Sequence, residues 1–198
     1  MPSSTGSDAD KTSLRQHYII MRRAIGSVKR ERCDQVICER VMKLEEYQAA
    51  PLVLSYISFG NEVDTKGFIT KTLKLGKQVA VPKCHSGKMN FYLIDSLADV
   101  HPSYMGILEP DVDTKKIVTQ KMQKGSVCIV PGLVFDCDGY RVGYGGGYYD
   151  KYLAFYMGEK IGLARSMQVS SNPLPIGPQD VRVDTLVTEF SSFRITLH

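Results

Sequence analysis

Short apolar runs, separated by segments of helical length, constrain the fold of this chain most. LVLSYI at 52–57, QVAVP at 78–82, SVCIVP at 126–131, KIGLA at 160–164 and DTLVTE at 184–189 are compact and rich in β-branched residues. Runs of this kind suit strands buried on both faces, as in a parallel sheet. KMNFYLI at 88–94 alternates well enough for a further strand. Leu14, Tyr18, Met21 and Ile25 fall at intervals of three and four, the stripe of an amphipathic helix, and Ser27 can cap a second helix carrying Val36, Ile37, Val41 and Leu44. Thr65 can cap a third, which Gly76 ends, so residues 52–82 read as a β-α-β unit. Residues 95–125 read as loop with short helices. The expected architecture is α/β, with helices on both faces of a mostly parallel sheet and ligands bound beyond the carboxyl ends of its strands.

The chain has 198 residues, 43% hydrophobic and 23% charged, and no interior stretch resembling a linker. One domain over 11–198 is expected, behind a polar disordered tail at 1–10 that fits neither a secretory signal nor a mitochondrial presequence. No apolar run approaches membrane length. Five scattered cysteines without a CxxC support neither a disulfide framework nor a zinc ribbon, so a reducing cytoplasm is the expected location. A net charge of +4 does not by itself imply nucleic acid. The basic residues gather, however, between Lys11 and Lys43, with Arg15, Arg22, Arg23, Lys29, Arg30, Arg32 and Arg40 among them. A solvated helix face accounts for such a run, with one or two members reaching an anionic ligand.

Residues 130–152, VPGLVFDCDGYRVGYGGGYYDKY, combine backbone freedom, fixed positive charge and carboxylates just after an expected strand. Gly143, Gly145, Gly146 and Gly147 let a backbone approach a ligand closely and aim amides at oxyanions. The block matches neither GxxxxGK[ST] nor GxGxxG, which disfavours a P-loop NTPase and an ordinary dinucleotide fold. A helix opening at Tyr148 would bring its positive end to the same place. Of Tyr148 and Tyr149 one can pack while the other meets a ligand, since adjacent helical residues point apart. Asp150 either favours the positive end of its helix or holds Mg²⁺, and in the second case Asp184 is the candidate for a second carboxylate. Asp64 and Thr65 can serve as caps, whereas Glu62 has no such duty and could accept hydrogen bonds from the amino groups of a pterin or purine. No histidine pair at ligand spacing and no nucleophile elbow supports zinc or acyl-enzyme chemistry.

KTSLR at 11–15, NEVDT at 61–65, the glycine-tyrosine block at 130–153 and VDTLVTE at 183–189 together resemble the 5-formyltetrahydrofolate cyclo-ligase family, in the expected order along nearly the whole chain. The resemblance implies an enzyme that uses Mg·ATP to convert 5-formyltetrahydrofolate, with or without a polyglutamate tail, into 5,10-methenyltetrahydrofolate, ADP and phosphate. It implies a three-layer Rossmann-like sandwich related to ribose-phosphate isomerase and CoA-transferase domains, acting as a monomer with no nucleic-acid or membrane partner. Lys11 and Arg15 would contact ATP phosphates or folate, and Arg141, Val142, Gly143, Tyr144, Gly145, Gly146, Gly147, Tyr148 and Tyr149 would form the nucleotide loop. Tyr144 through Tyr148 would also border the folate, with Ile57 and Glu62 lining the pterin pocket. Arg141 and Tyr148 would act at the reacting groups, and Asp150 with Asp184 would hold Mg²⁺.

Three departures from the family pattern fall near that pocket. Val142 stands where leucine is usual, Arg165 and Ser166 replace an aromatic or acidic pair ahead of Gln168, and Gln179-Asp180 replaces His-Asp. A sugar-phosphate isomerase or CoA-transferase relative would explain the sheet and the loop without needing Glu62 or the paired aspartates. A silent RNA-binding relative would explain the basic helices, but typically with losses in the glycine block, which is intact here.

Overall fold

A computed structural model describes residues 5–103 and 106–196 of the chain. In order, the elements are α1 (Thr5–Ala24), α2 (Ser27–Val41), α3 (Glu45–Ala49), β1 (Leu52–Ser55), α4 (Lys66–Lys74), β2 (Gln78–His85) and β3 (Lys88–Ile94). There follow β4 (Val100–Pro102), β5 (Leu108–Pro110), α5 (Gln120–Gln123), β6 (Val127–Val130), β7 (Val134–Asp136), β8 (Arg141–Val142) and α6 (Tyr148–Leu153). The chain closes with β9 (Glu159–Leu163), β10 (Val169–Ser170), β11 (Thr185–Val187) and β12 (Ser192–Arg194).

The main sheet has the order β12-β11-β9-β6-β1-β2-β3. Its five inner strands are parallel, and only the edges β3 and β12 run antiparallel to their neighbours. The reason lies in side chains that alternate between two buried faces. Val53, Val127, Ile129, Ile161, Leu163 and Val187 pack against Ile37 and Val41 of α2, Tyr47 of α3 and Phe68 of α4. Leu52, Leu54, Cys128, Val130 and Leu186 point the other way, onto Phe91, Phe135, Leu153 and Tyr156. A strand apolar on both faces has no solvated side, so the runs lack polar alternation. Gly162 of β9 leaves the room that Phe135 fills, since a Cβ there would lie 2.7 Å from the ring. The expected α/β sandwich with helices on both faces is therefore the one observed.

The small sheet β10-β7-β8 lies outside the main one, and α1 packs on it through Leu14, Tyr18 and Met21 against Leu133, Val134 and Val142. Helix α1 begins at Thr5, further back than the start expected at residue 12, and residues 1–4 of the expected tail lie outside the described ones. Its inner end is tied down by Lys11, whose Nζ lies 2.5 Å from Asp180 Oδ2, a partner that local sequence could not reveal. The stretch 95–125 differs from expectation too. Besides the expected short helices, a 3-10 turn at Leu97–Asp99 and α5, it holds an antiparallel β4-β5 pair, because Val100 and Leu108 join the apolar cluster over β2.

Sheet order fixes where a ligand can enter. From β1 the chain goes outward to β2, whereas β6, β9 and β11 extend on the opposite side, so the order reverses between β1 and β6. In sheets of this kind such a reversal marks the ligand crevice, beyond the carboxyl ends of the strands.

Candidate active site

The loop after β1 forms one wall of that crevice, and arginines hold it. Arg165, which follows β9 and is fully buried, sets its Nε 2.8 Å from Asp34 Oδ1 and its Nη2 2.8 Å from Asp34 Oδ2. The same guanidinium donates to the carbonyls of Asn61 and Glu62, each at 3.0 Å. Asp34 Oδ2 also accepts from the Asp64 amide at 3.1 Å, so the pair has nearly all its donors and acceptors occupied, as a buried ion pair requires. Burial pushes the Asp34 carboxyl upward, and the two bonds from Arg165 pull it back. Arg30 adds Nη1 to Asn61 Oδ1 at 2.7 Å. Arg165, noted above as a departure from the family pattern, is thus the brace of the loop that carries Glu62.

Glu62 Oε2 accepts from the Phe59 amide at 2.9 Å. Desolvation raises its carboxyl above the ordinary glutamate range, against the amide bond and the charge of Arg22, which both lower it. Ile57 lies at the base of the same loop and is buried among Ile69, Val79 and Val81. The expected cap at Thr65 works differently: its Oγ1 donates to the Tyr56 carbonyl at 2.6 Å, and Asp64 Oδ1 accepts from the Lys66 amide instead.

The glycine arm forms the opposite wall. Gly145 has φ +101° and Gly147 φ +63°, and both conformations favour glycine. Among the described residues nothing comes within 4 Å of a Cβ built on Gly143 or Gly147, so the space beside the arm is open. Arg15 lies along it, donating from Nε to the Gly143 carbonyl at 3.0 Å, with its guanidinium against Gly145. Tyr144 stands 61% exposed at the tip, and Tyr148 is 36% exposed at the opening of α6. Tyr149 is the packed member of the pair: its ring meets Phe91 edge-on at 6.4 Å and its hydroxyl is buried. Val142 is buried under Tyr18 and Leu174, so it supports the arm from below.

Two of the expected site residues have protein partners that the sequence did not suggest. Arg141 does not project into the arm's open side: its side chain, 3% exposed, donates to Asp150 Oδ1 at 3.0 Å and to the Val181 carbonyl. Its place on β8 turns it inward, and the Val181 amide completes the clamp on Asp150 at 3.1 Å. Asp184 pairs with Lys160. It precedes β11 beside the start of β9, with its carboxylate 2.8 Å from Lys160 Nζ and accepting the Lys160 amide, at the amino edge of the parallel strands. An aspartate one residue ahead of a strand that runs parallel to β9 stands at the amino edge by chain direction alone. Among the described residues no cluster of three or more His, Cys, Asp or Glu could hold a metal ion.

Arg22, one of nine basic residues in the N-terminal run, reaches the crevice from α1 and is only 2% exposed. Its Nε donates to the Asn61 carbonyl at 3.0 Å and its Nη1 to Tyr144 Oη at 3.2 Å, with the guanidinium 5.9 Å from the Tyr144 ring centroid. The stripe Leu14, Tyr18, Met21 defined the buried face of α1, and Arg22, four residues after Tyr18, could have been read onto it.

Comparison with known proteins bears on this site. A model of the 5-formyltetrahydrofolate cyclo-ligase family matches residues 7–189. A probable 5-formyltetrahydrofolate cyclo-ligase of Schizosaccharomyces pombe is 31% identical over 167 residues, covering 77% of this chain and 81% of that one. The 5-formyltetrahydrofolate cyclo-ligase of Escherichia coli K12 is 28% identical over 173 residues, 84% of this chain and 93% of its own. Among solved structures, the 5,10-methenyltetrahydrofolate synthetase of Aquifex aeolicus superposes with a TM-score of 0.82 at 30% identity, covering 95% of this chain and 94% of that one.

Proposed function

Because the chain belongs to the 5-formyltetrahydrofolate cyclo-ligase family, we propose that the crevice between the β1 loop and the glycine arm is where it carries out that family's reaction. The reaction is the ATP-dependent conversion of 5-formyltetrahydrofolate into 5,10-methenyltetrahydrofolate with release of ADP and phosphate. A formamide oxygen is a poor leaving group. Its attack on the γ-phosphorus of ATP releases ADP and leaves an imidate-like phosphate ester on the formyl carbon. Nitrogen-10 then bonds to that carbon, its proton is lost, and the carbon–oxygen bond breaks as phosphate departs. Positioning and charge neutralisation are the protein's main duties in such a sequence.

The observation that carries the assignment of roles is the bridge by which Arg22 joins the loop of the desolvated Glu62, at the Asn61 carbonyl, to Tyr144 on the glycine arm that Arg15 flanks. ATP phosphates lie along residues 143–147, where amides and the Arg15 guanidinium face them. The pterin lies over Ile57 with its amino groups on Glu62, and the formyl group is turned toward Tyr144 and Tyr148. Arg141 acts as a positioning residue, holding Asp150 and the start of α6 in place. A magnesium ion arriving on the nucleotide would find a protein carboxylate at Asp150, which is part exposed beside Arg141. Magnesium held this way neutralises the phosphate oxygens. Five free cysteines support a reducing, cytosolic setting, and no helix among the described residues is long and apolar enough to cross a membrane.

Incubation with 5-formyltetrahydrofolate, ATP and Mg²⁺ should produce the ultraviolet band of the methenyl product with one ADP per turnover. Folded protein that yields no band with both ligands saturating overturns the reading.

A further inference from the structure

We propose that Arg22 is a substrate-binding residue that reads the ring carbonyl of the pterin, with Glu62 taking the adjacent ring N–H and amino groups and Tyr144 covering the guanidinium until substrate arrives. This rests on the cyclo-ligase reading of the crevice.

Arg22 is buried, yet its Nη2 finds no hydrogen-bond partner among the described residues. A buried guanidinium nitrogen left unpaired is costly, so a folded protein keeps one where something else supplies the acceptor. Its other nitrogens are fixed: Nε by the Asn61 carbonyl and Nη1 by the Tyr144 hydroxyl. The free donor is therefore oriented in advance by a residue adjacent to Glu62. The hydroxyl of Tyr149 is likewise buried without a partner, and the charges of both Glu62 and Arg141 are felt there. Two orphaned polar groups thus flank one carboxylate at the reversal point of the sheet.

Charge decides what fits. A phosphate or the glutamate tail of a folate would suit an arginine alone, but here Glu62 stands beside it and would repel either. A neutral heterocycle whose edge presents an acceptor next to two donors satisfies both groups at once. The 2-amino-4-oxo edge of a pterin has that order, with the carbonyl for Arg22 and the N–H groups for Glu62. Reaching Nη2 requires Tyr144 to move. Tyr144 is largely exposed and sits between Gly143 and Gly145, where the backbone turns freely. The phenol then gives up one hydrogen bond and one face of cation–π contact, which the ring carbonyl replaces.

Affinities for 5-formyltetrahydrofolate and for a 2,4-diaminopteridine antifolate, measured by calorimetry without ATP, test this in wild type and Arg22→Gln. Loss of a charge-assisted hydrogen bond should weaken the 4-oxo ligand roughly ten- to hundredfold while sparing the 4-amino one, so that the preference between them collapses. Equal losses for both ligands, or no loss in a folded variant, overturn the proposal. Should Arg22→Gln not fold, arginine footprinting with phenylglyoxal and mass spectrometry answers the same question in wild type and Tyr144→Ala. Arg22 should label slowly in wild type, faster in Tyr144→Ala, and be protected by 5-formyltetrahydrofolate but not by ATP. Protection by ATP alone, or none by the folate, overturns it. Wild type that does not turn over 5-formyltetrahydrofolate overturns the cyclo-ligase reading and this proposal together, whereas turnover with an unmoved ligand preference in Arg22→Gln overturns this proposal alone.

Discussion

Arg141 and Asp150 share a clamp rather than an open face, and the consequences of changing either differ. Arg141→Ala should cost about 1–3 kcal/mol, because Asp150 keeps the Val181 amide and some solvent while the guanidinium bonds are lost. Thermal unfolding and turnover should fall together in that variant. Loss of activity with unchanged melting would assign Arg141 directly to phosphate. For Asp150→Asn the expected signature is a raised magnesium requirement, while Asp184→Asn should shift stability through its lost Lys160 contact and leave the magnesium titration as in wild type. A raised requirement in Asp184→Asn would restore it to the metal. Glu62 gives two opposite pH effects. Its folded carboxyl is raised, so the stability it contributes is present at low pH and is lost as pH rises through the folded pKa. In the proposed role folate binding uses the carboxylate, and it should weaken as pH falls through that same value. KM for the folate should rise on acidification earlier than an ordinary glutamate would allow, and a Glu62→Gln variant whose KM kept that rise would refute the assignment.

At the scale of elements, the glycine arm and α6 form one device. Gly147 starts α6 at φ +63°, so Gly147→Ala should cost about 1 kcal/mol in unfolding experiments. Gly145→Ala puts a Cβ 3.4 Å from the Arg15 guanidinium and should raise KM for ATP more than KM for folate; equal rises would mean that Arg15 serves both ligands. The arm was legible in sequence because glycines at 143 and 145–147 leave few other uses for such freedom. The strands were legible because residues such as Val53 and Leu54 are buried on opposite faces, which removes polar alternation. Side-chain direction was not legible. Arg141 on β8 turns inward because the partner that claims it, Val181, lies forty residues away. The β4-β5 pair was missed because three-residue strands carry too little pattern to stand out from loop.

Across the whole molecule, the carboxyl edge gathers loops from distant strands. Ser166 after β9 meets Glu189 after β11 at 2.7 Å, and Gln168 donates to the carbonyls of Gly132 and Leu133 after β6. Such long-range contacts explain why sequence could not pair Arg165 with Asp34 or with the Asn61 carbonyl. Ligands should therefore quiet this edge selectively. Hydrogen exchange should slow in residues 56–65 with 5-formyltetrahydrofolate and in 143–147 with ATP, leaving 182–184 at the amino edge unchanged. Slowing at 182–184 to the same extent would contradict the placement of both ligands.

The bond between Arg165 and Asp34 also has a direction in time. Asp34 leaves the ribosome 131 residues before Arg165 does, so the first half of the chain emerges with an aspartate whose native counterion has not yet been made. Through most of synthesis the Glu62 loop lacks the brace that shapes it. The Glu62 loop can thus take its final shape only after β9 has emerged, and a nascent chain arrested before that point should expose residues 56–65 to a protease even if β1 and β2 have already paired.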